Sequence, residues 1–300
     1  MSTFVQNRRG VLAMLAAMAV FTTSDALMKL VRTALPPGEV VFVRGLFAVL
    51  FSVALLVGMG HVRDARRVLA GPAALRAGVE AIVALCFVTA LGHMALADLT
   101  AIGQSSPILI AVFCAVTGLE PMGWRRWAAV LTGFAGVLLV VRPTGESFDV
   151  YTLVALLSAV FVAVRDLVTR RIHPSVPTAA VLAATSTAVC AAGAVLGLAE
   201  DWIAPTPAQW AGLGGAGLAV ALGHLCVITA FRGVDVTVVS PFRYSVIVWA
   251  ILAGAAVFGE IPDATTLAGA TLVVGSGVYT VHRERIRARD AARELGTADA

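Results

Sequence analysis

Two stretches of this chain repeat each other, and that repeat limits the folds open to it. Residues 85–91 read LCFVTAL and residues 225–231 read LCVITAF, an offset of 140. At an offset of 141, Asp25 falls on Asp166, Lys29 on Arg170 and Pro36 on Pro177; at 140 again, Glu120 falls on Glu260. The chain is 59% hydrophobic and only 13% charged, abnormally poor in charge for a soluble domain. Two copies of one apolar design suggest a carrier, because many membrane transporters are built from internal repeats around a central site.

Successive long apolar segments read as a polytopic helical membrane protein, and the short alternating strands of a β-barrel do not appear. The formal charge of +4 bears on topology; no basic, aromatic-laced element points to nucleic acid. Cys86, Cys114, Cys190 and Cys226 fall in apolar segments without zinc or disulfide spacing, so they are expected to pack helices. Arg8 and Arg9 ahead of the apolar residues 11–21 imitate a signal peptide. The segment runs on into Asp25-x-x-x-Lys29, which the second copy repeats at Asp166 and Arg170, so it is expected to stay as the first helix.

The expected fold is all-α, with ten transmembrane helices at 10–31, 38–59, 71–92, 98–118, 123–141, 150–170, 177–198, 208–230, 236–258 and 263–281. Pro36 and Pro37, Arg142 and Pro143, His173 and Pro174, and Pro205 punctuate the connectors. Residues 1–9 and the polar tail 282–300 are expected in the cytoplasm, the tail helical or disordered. With the amino end inside, fifteen of the 22 lysines and arginines lie inside, and Lys29, Arg32 and Arg142 lie outside. Each half (10–141 and 150–281) then holds five spans, and an odd number forces the halves to oppose one another. The expectation is an inverted repeat around a central cavity.

The end of each half carries a resemblance. Ser106 and Pro107 lead to Gly118-Leu119-Glu120, then Trp127 and the Leu131…Gly136-Val137 segment. The second copy reads Ser240-Pro241-Phe242-Arg243-Tyr244, then Phe258-Gly259-Glu260 and Gly269…Leu272…Gly277-Val278. This pattern resembles the EamA family of the drug/metabolite transporter superfamily and covers nearly the whole chain apart from the tail. The resemblance implies a ten-helix carrier of small metabolites in the bacterial inner membrane, working by alternating access. The Ser-Pro-Phe-Arg-Tyr segment looks most like the amino acid exporter branch that includes YddG, which implies export of amino acids. Pro107 lies 13 residues before its glutamate and Pro241 lies 19 before its own, so the helix breaks are not expected to be symmetric.

Ionisable groups within spans are costly and mark function by default. From a rise of about 1.5 Å per residue, Asp25 and Arg44 share a layer toward the outside, with Lys29 one turn from Asp25. Arg243, His224, Glu80, Arg165 and Asp166 share a layer toward the inside. Asp25, Lys29, Arg165 and Asp166 are the candidate gating or ion-pairing residues. Between the layers, Phe21, Ser24, Gln104, Phe161, Tyr244 and Trp249 suit a small amphipathic solute. Arg44 or Arg243 would meet a substrate carboxylate; Glu80 would meet an amine or carry a proton; His224 could titrate in the working range. The same residues also suit simple helix pairing and packing, and both readings stand at this point.

No Gly-x-Ser-x-Gly, His-Glu-x-x-His, paired aspartate or nucleotide-binding motif is present, so neither an enzyme nor a cofactor is expected. The expected partners are a small-molecule substrate and the lipid bilayer. Glycine pairs at Gly133…Gly136, Gly193…Gly197 and Gly214…Gly217 fit close helix contacts, and glycine pairs on the fifth and tenth spans leave a homodimer open. A proton-coupled efflux carrier for drugs or nucleotide-like metabolites is the alternative function.

Overall fold

The structure, a computed structural model, describes residues 2–116, 124–141, 149–169, 171–173, 175–231 and 239–298. Glu120, Arg142, Pro143, Arg170, Pro174 and Arg232 lie outside the described residues. Among the described residues all regular structure is helical. The helices are α1 Ser2–Arg32, α2 Pro37–Gly58, α3 Gly71–Leu91, α4 Leu96–Gly103, α5 Ser106–Val116 and α6 Trp124–Val141. The second half has α7 Val150–Thr169, α8 Thr178–Gly197, α9 Pro207–Phe231, α10 Ser245–Ala253 and α11 Ala264–Ala298. Six of these are long and apolar enough to cross a membrane: α1, α2, α3, α7, α8 and α9. Large apolar side chains such as Leu50, Leu131, Phe134 and Val248 stay exposed on the outside of the bundle, as a lipid-facing surface requires. The polar tail continues α11 as a helix to Ala298.

Helix pairs run mostly between the halves. α2 packs on α8, α1 on α9, α3 on α7, and α6 on α11. The pattern maps onto itself when the copies are exchanged: α1 with α9 becomes α7 with α3, and α3 with α8 becomes α9 with α2. The α1 carboxyl end, the amino ends of α2, α4, α7 and α11, and the turns after α3 and α8 all meet at one rim. This is the rim that the arginine count puts outside.

The segments expected as single spans at 98–118 and 236–258 are broken. α4 ends at Gly103, Gln104 and Ser105 form a turn, and Pro107 is the second residue of α5. A proline there offers no N–H to the Gly103 carbonyl. Ser105 Oγ instead donates to the Ile102 carbonyl at 2.6 Å. In the other copy a 3-10 turn over Ser240–Tyr244, with Pro241 in its first turn, precedes α10. At the repeat offset of 140, Gln104 and Ser105 fall on Tyr244 and Ser245. The turn of the first copy thus falls where the 3-10 turn of the second meets α10, while the prolines are not equivalent and the 3-10 turn has an α-helical counterpart at 100–103. A π-turn, Gly254–Phe258, then closes at Gly259, whose φ of 67° is left-handed and suited to glycine.

Close approaches explain the glycine pairs. A Cβ at Gly136 would stand 2.7 Å from the Gly269 carbonyl oxygen, and one at Gly269 would stand 2.6 Å from that of Gly136. The glycine faces of α6 and α11 are thus used on each other within one chain, where a homodimer contact had been open. The amino end of α7 is capped by Asp149, whose Oδ1 accepts the Thr152 N–H at 2.9 Å.

Gly136→Ala is expected to lower the thermal unfolding midpoint in detergent, because backbone must move to admit the methyl group. Gly78→Ala, where a Cβ meets nothing within 4 Å, should raise or preserve it. At Asp149 the hydrogen bond from the Thr152 N–H holds the carboxyl below its ordinary 3.8. A depressed folded value adds stability that is fully present above 3.8 and lost as pH falls through the folded value. Acid-side melting of Asp149→Ala should lack that component.

Candidate functional site

The polar groups inside the bundle come from both halves. Arg165 on α7 bridges two carboxylates, with Nη1 3.0 Å from Glu80 on α3 and Nη2 2.7 Å from Asp166. Arg76, one turn before Glu80 on the same face of α3, donates to Thr169 Oγ1 on α7 at 3.1 Å and to Thr185 Oγ1 on α8 at 2.6 Å. The side chains of Glu80, Arg165 and Asp166 keep 21%, 17% and 28% of their surface. These groups sit between helices of the two halves and stay partly accessible.

His224 on α9 sits at the edge of this cluster, within electrostatic range of Glu80, Arg76 and Arg165. Its Nδ1 is 2.7 Å from the Val220 carbonyl oxygen. A carbonyl only accepts, so Nδ1 carries the proton, and Nε2 of the neutral ring is left as an acceptor. Phe21 on α1 meets the His224 ring edge-on at 5.1 Å. Asp25 on α1, one turn beyond Phe21, and Arg44 on α2 act on one another electrostatically, and Arg44 also feels Glu80. Asp25, Arg44, Glu80 and Arg165 are thus linked in series, Asp25 to Arg44 and Arg44 to Glu80 electrostatically, and Glu80 to Arg165 by an ion pair.

The rim that the arginine count puts outside is tied across the halves. Lys29 forms an ion pair with Glu260 and also donates to the Met94 carbonyl at 2.8 Å. Glu260 Oε2 accepts the Leu96 N–H at 3.1 Å, at the amino end of α4, where a helix favours negative charge. Glu200 accepts the Gly38 and Glu39 N–H groups at 3.0 and 3.3 Å, and Glu39 accepts the Ile203 N–H at 3.1 Å. A cleft of about 240 Å³ opens beside this rim, lined by Met94, Asp98, Val141, Thr152, Glu260 and Thr266. It is separate from the charged interior.

Several expectations change here. Lys29 shares a helix face with Asp25 but reaches Glu260. The glutamate was visible only as a repeat-mate of Glu120, a signal of register and not of pairing. Arg76 was visible as an arginine inside a span. Ser24 is buried, and its hydroxyl is held by the Ala216 carbonyl at 2.9 Å. Gln104 caps α4 through its backbone N–H. Arg243 is exposed, and its electrostatic effect is on Tyr244, so it stands apart from the inner cluster. Tyr244 is buried and sets its hydroxyl against Gly277 of α11. Phe161 is half-buried on α7, and Trp249 on α10 packs against the core with no protein partner for its Nε1.

The sequence pattern of the EamA-like transporter family matches residues 8–142 and again residues 150–281. The pseudopaline exporter CntI of Pseudomonas aeruginosa is 31% identical over 275 residues, covering 89% of this chain and 94% of that one. An S-adenosylmethionine uptake transporter of Rickettsia bellii is 28% identical, covering 62% of this chain and 64% of its own. A riboflavin transporter of Brucella anthropi is 24% identical, covering 87% and 93%. One solved crystal structure superposes with a TM-score of 0.66 at 21% identity, covering 92% of this chain and 98% of that one.

Arg165→Gln leaves two carboxylates inside without their cation and is expected to cost on the order of 3–5 kcal/mol. Arg243→Gln should change stability by less than about 0.5 kcal/mol. Thermal unfolding in detergent or nanodiscs reads the contrast.

Proposed function

The chain belongs to the EamA-like transporter family and is a multi-pass membrane transporter rather than an enzyme, and on that premise we propose that it exports small amphipathic metabolites of the amino acid class. The membrane would be the bacterial inner membrane, with both termini in the cytoplasm. The observation that carries this reading is the charged interior. Acidic and basic side chains from both halves meet within an apolar bundle, where such groups are costly unless they serve a function or hold helices together. Phe21 beside Asp25 adds an apolar wall suited to a small amphipathic cargo.

Transport would proceed by alternating access between two inverted five-helix repeats. Two observations support this: α1 ends at the rim where its counterpart α7 begins, and the helix pairs map onto themselves under exchange of the copies. In this reading α4 with α5 is the fourth span, and the 3-10 turn, α10 and the π-turn belong to the ninth. Opening toward the outside requires Glu260 to release Lys29 and the Leu96 N–H. The breaks at Gln104 and at 240–244 are places where the two spans can bend. Export rests on the likeness to a named exporter and on the family resemblance; relatives named for uptake show that the fold serves either direction.

The test is counterflow in proteoliposomes. Vesicles loaded with an unlabelled amino acid should accumulate its labelled form well above empty vesicles. A panel of aromatic, aliphatic, charged and sulfur-containing amino acids that all fail to exchange overturns the reading. Flux that requires an imposed pH gradient would favour proton-coupled efflux.

A further inference from the structure

Asp25 and Asp166 are repeat-mates, yet their surroundings differ. Asp166 is held at 2.7 Å by Arg165, its neighbour in the chain. The position before Asp25, equivalent to Arg165, is Ser24, whose hydroxyl is directed to the Ala216 carbonyl. Among the described residues the Asp25 carboxylate therefore has neither an ion pair nor a hydrogen bond; its electrostatic partner is Arg44. Arg44 differs from its own mate in the same way. Thr185 stands at the equivalent place and is hydrogen-bonded to Arg76. Arg44 is in range of both Asp25 and Glu80 but pairs with neither, and its Nε has no protein partner.

Opposite charges attract strongly in a medium of low dielectric and would close on each other if their helices allowed it. α9 prevents this. It packs on both α1 and α2, which touch each other little. A Cβ at Gly217 would stand 2.9 Å from the Arg44 carbonyl oxygen and 2.6 Å from the Phe47 Cβ, so α9 seats directly on α2. Gly223 similarly admits the Phe21 ring of α1. Asp25 and Arg44 are thus carried on two helices held against a third, with a gap between their charged groups wider than an ion pair.

We propose that Asp25 and Arg44 are the two poles of the substrate site, taking the ammonium and the carboxylate of a zwitterionic amino-carboxylate cargo. This rests on the transport reading above and narrows its substrate class. Glu80 and Asp166 are balanced by Arg165 together with Arg76, and this cluster acts as an internal charge lock that positions α3 against α7. Phe21, one turn from Asp25 on the same face of α1, supplies the wall for the cargo side chain. The amine anchor is therefore Asp25, where the residue types alone had suggested Glu80.

The experiment is counterflow with a zwitterionic amino acid, its N-acetyl derivative and its decarboxylated amine. The unsubstituted protein should exchange the zwitterion and discriminate against both derivatives. Asp25→Asn should raise KM for the zwitterion about tenfold or more and abolish discrimination against the N-acetyl derivative. Arg44→Gln should do the same for the amine. If a single variant fails to fold because one charge is left alone, the double variant Asp25→Asn with Arg44→Gln restores charge balance. That double variant should fold and should not transport. Unchanged KM in both single variants, or a rise confined to Glu80→Gln, overturns the assignment while leaving the transport reading intact. Absence of amino acid exchange by the unsubstituted protein overturns the transport reading itself.

Discussion

Arg165 holds Glu80 and Asp166 at once, and the arrangement of the interior follows from that double contact. A carboxylate inside an apolar bundle is tolerable only with a cation or water beside it. By answering two, Arg165 pins α3 to α7 and leaves Arg76 free to reach the hydroxyls of α7 and α8. The first copy has a serine where this arginine stands. Its aspartate has no ion pair among the described residues and lies in electrostatic range of Arg44, so one copy is locked by an ion pair and the other is not.

Packing makes that difference durable. α9 lies against α1 and α2, with small residues at the contacts, so backbones rather than long side chains set the spacing. At the rim, Glu260 links Lys29 to the amino end of α4 and so ties the two halves together. In both copies a proline lies near the break and removes one helix hydrogen bond. In the first copy the turn adds a bond from the Ser105 hydroxyl to the Ile102 carbonyl.

Much of the fold was legible in the residues. Apolar length, connectors rich in proline and arginine, and the repeat offset placed most helix boundaries within a few positions. The breaks were foreseen at Pro107 and Pro241, but their bounds were not, because a proline disturbs the turn before it by a variable amount. The site was partly legible. Glu80, Arg165, Asp166 and His224 were placed in one layer and do come together. Lys29 was expected in an outer cluster with Asp25 and Arg44 because it shares a face of α1 with Asp25, yet its side chain reaches Glu260. Arg243 was placed in the inner layer by depth alone, and its exposure follows from the direction in which the 3-10 turn projects it.

The residue string by itself determined the all-helical class, the doubled design and the set of ionisable groups carried into the apolar segments. It also determined their spacing along each helix, because a helix rises by a fixed increment per residue. Only the tertiary structure decided which of those charges meet. Pairing depends on the angle at which each side chain leaves its helix and on which neighbour packs there, and neither is written along one dimension. In a medium of low dielectric a few ångströms separate a neutralised pair from an open one. That is why Asp25 and Asp166, equivalent in the sequence, have different partners in the fold.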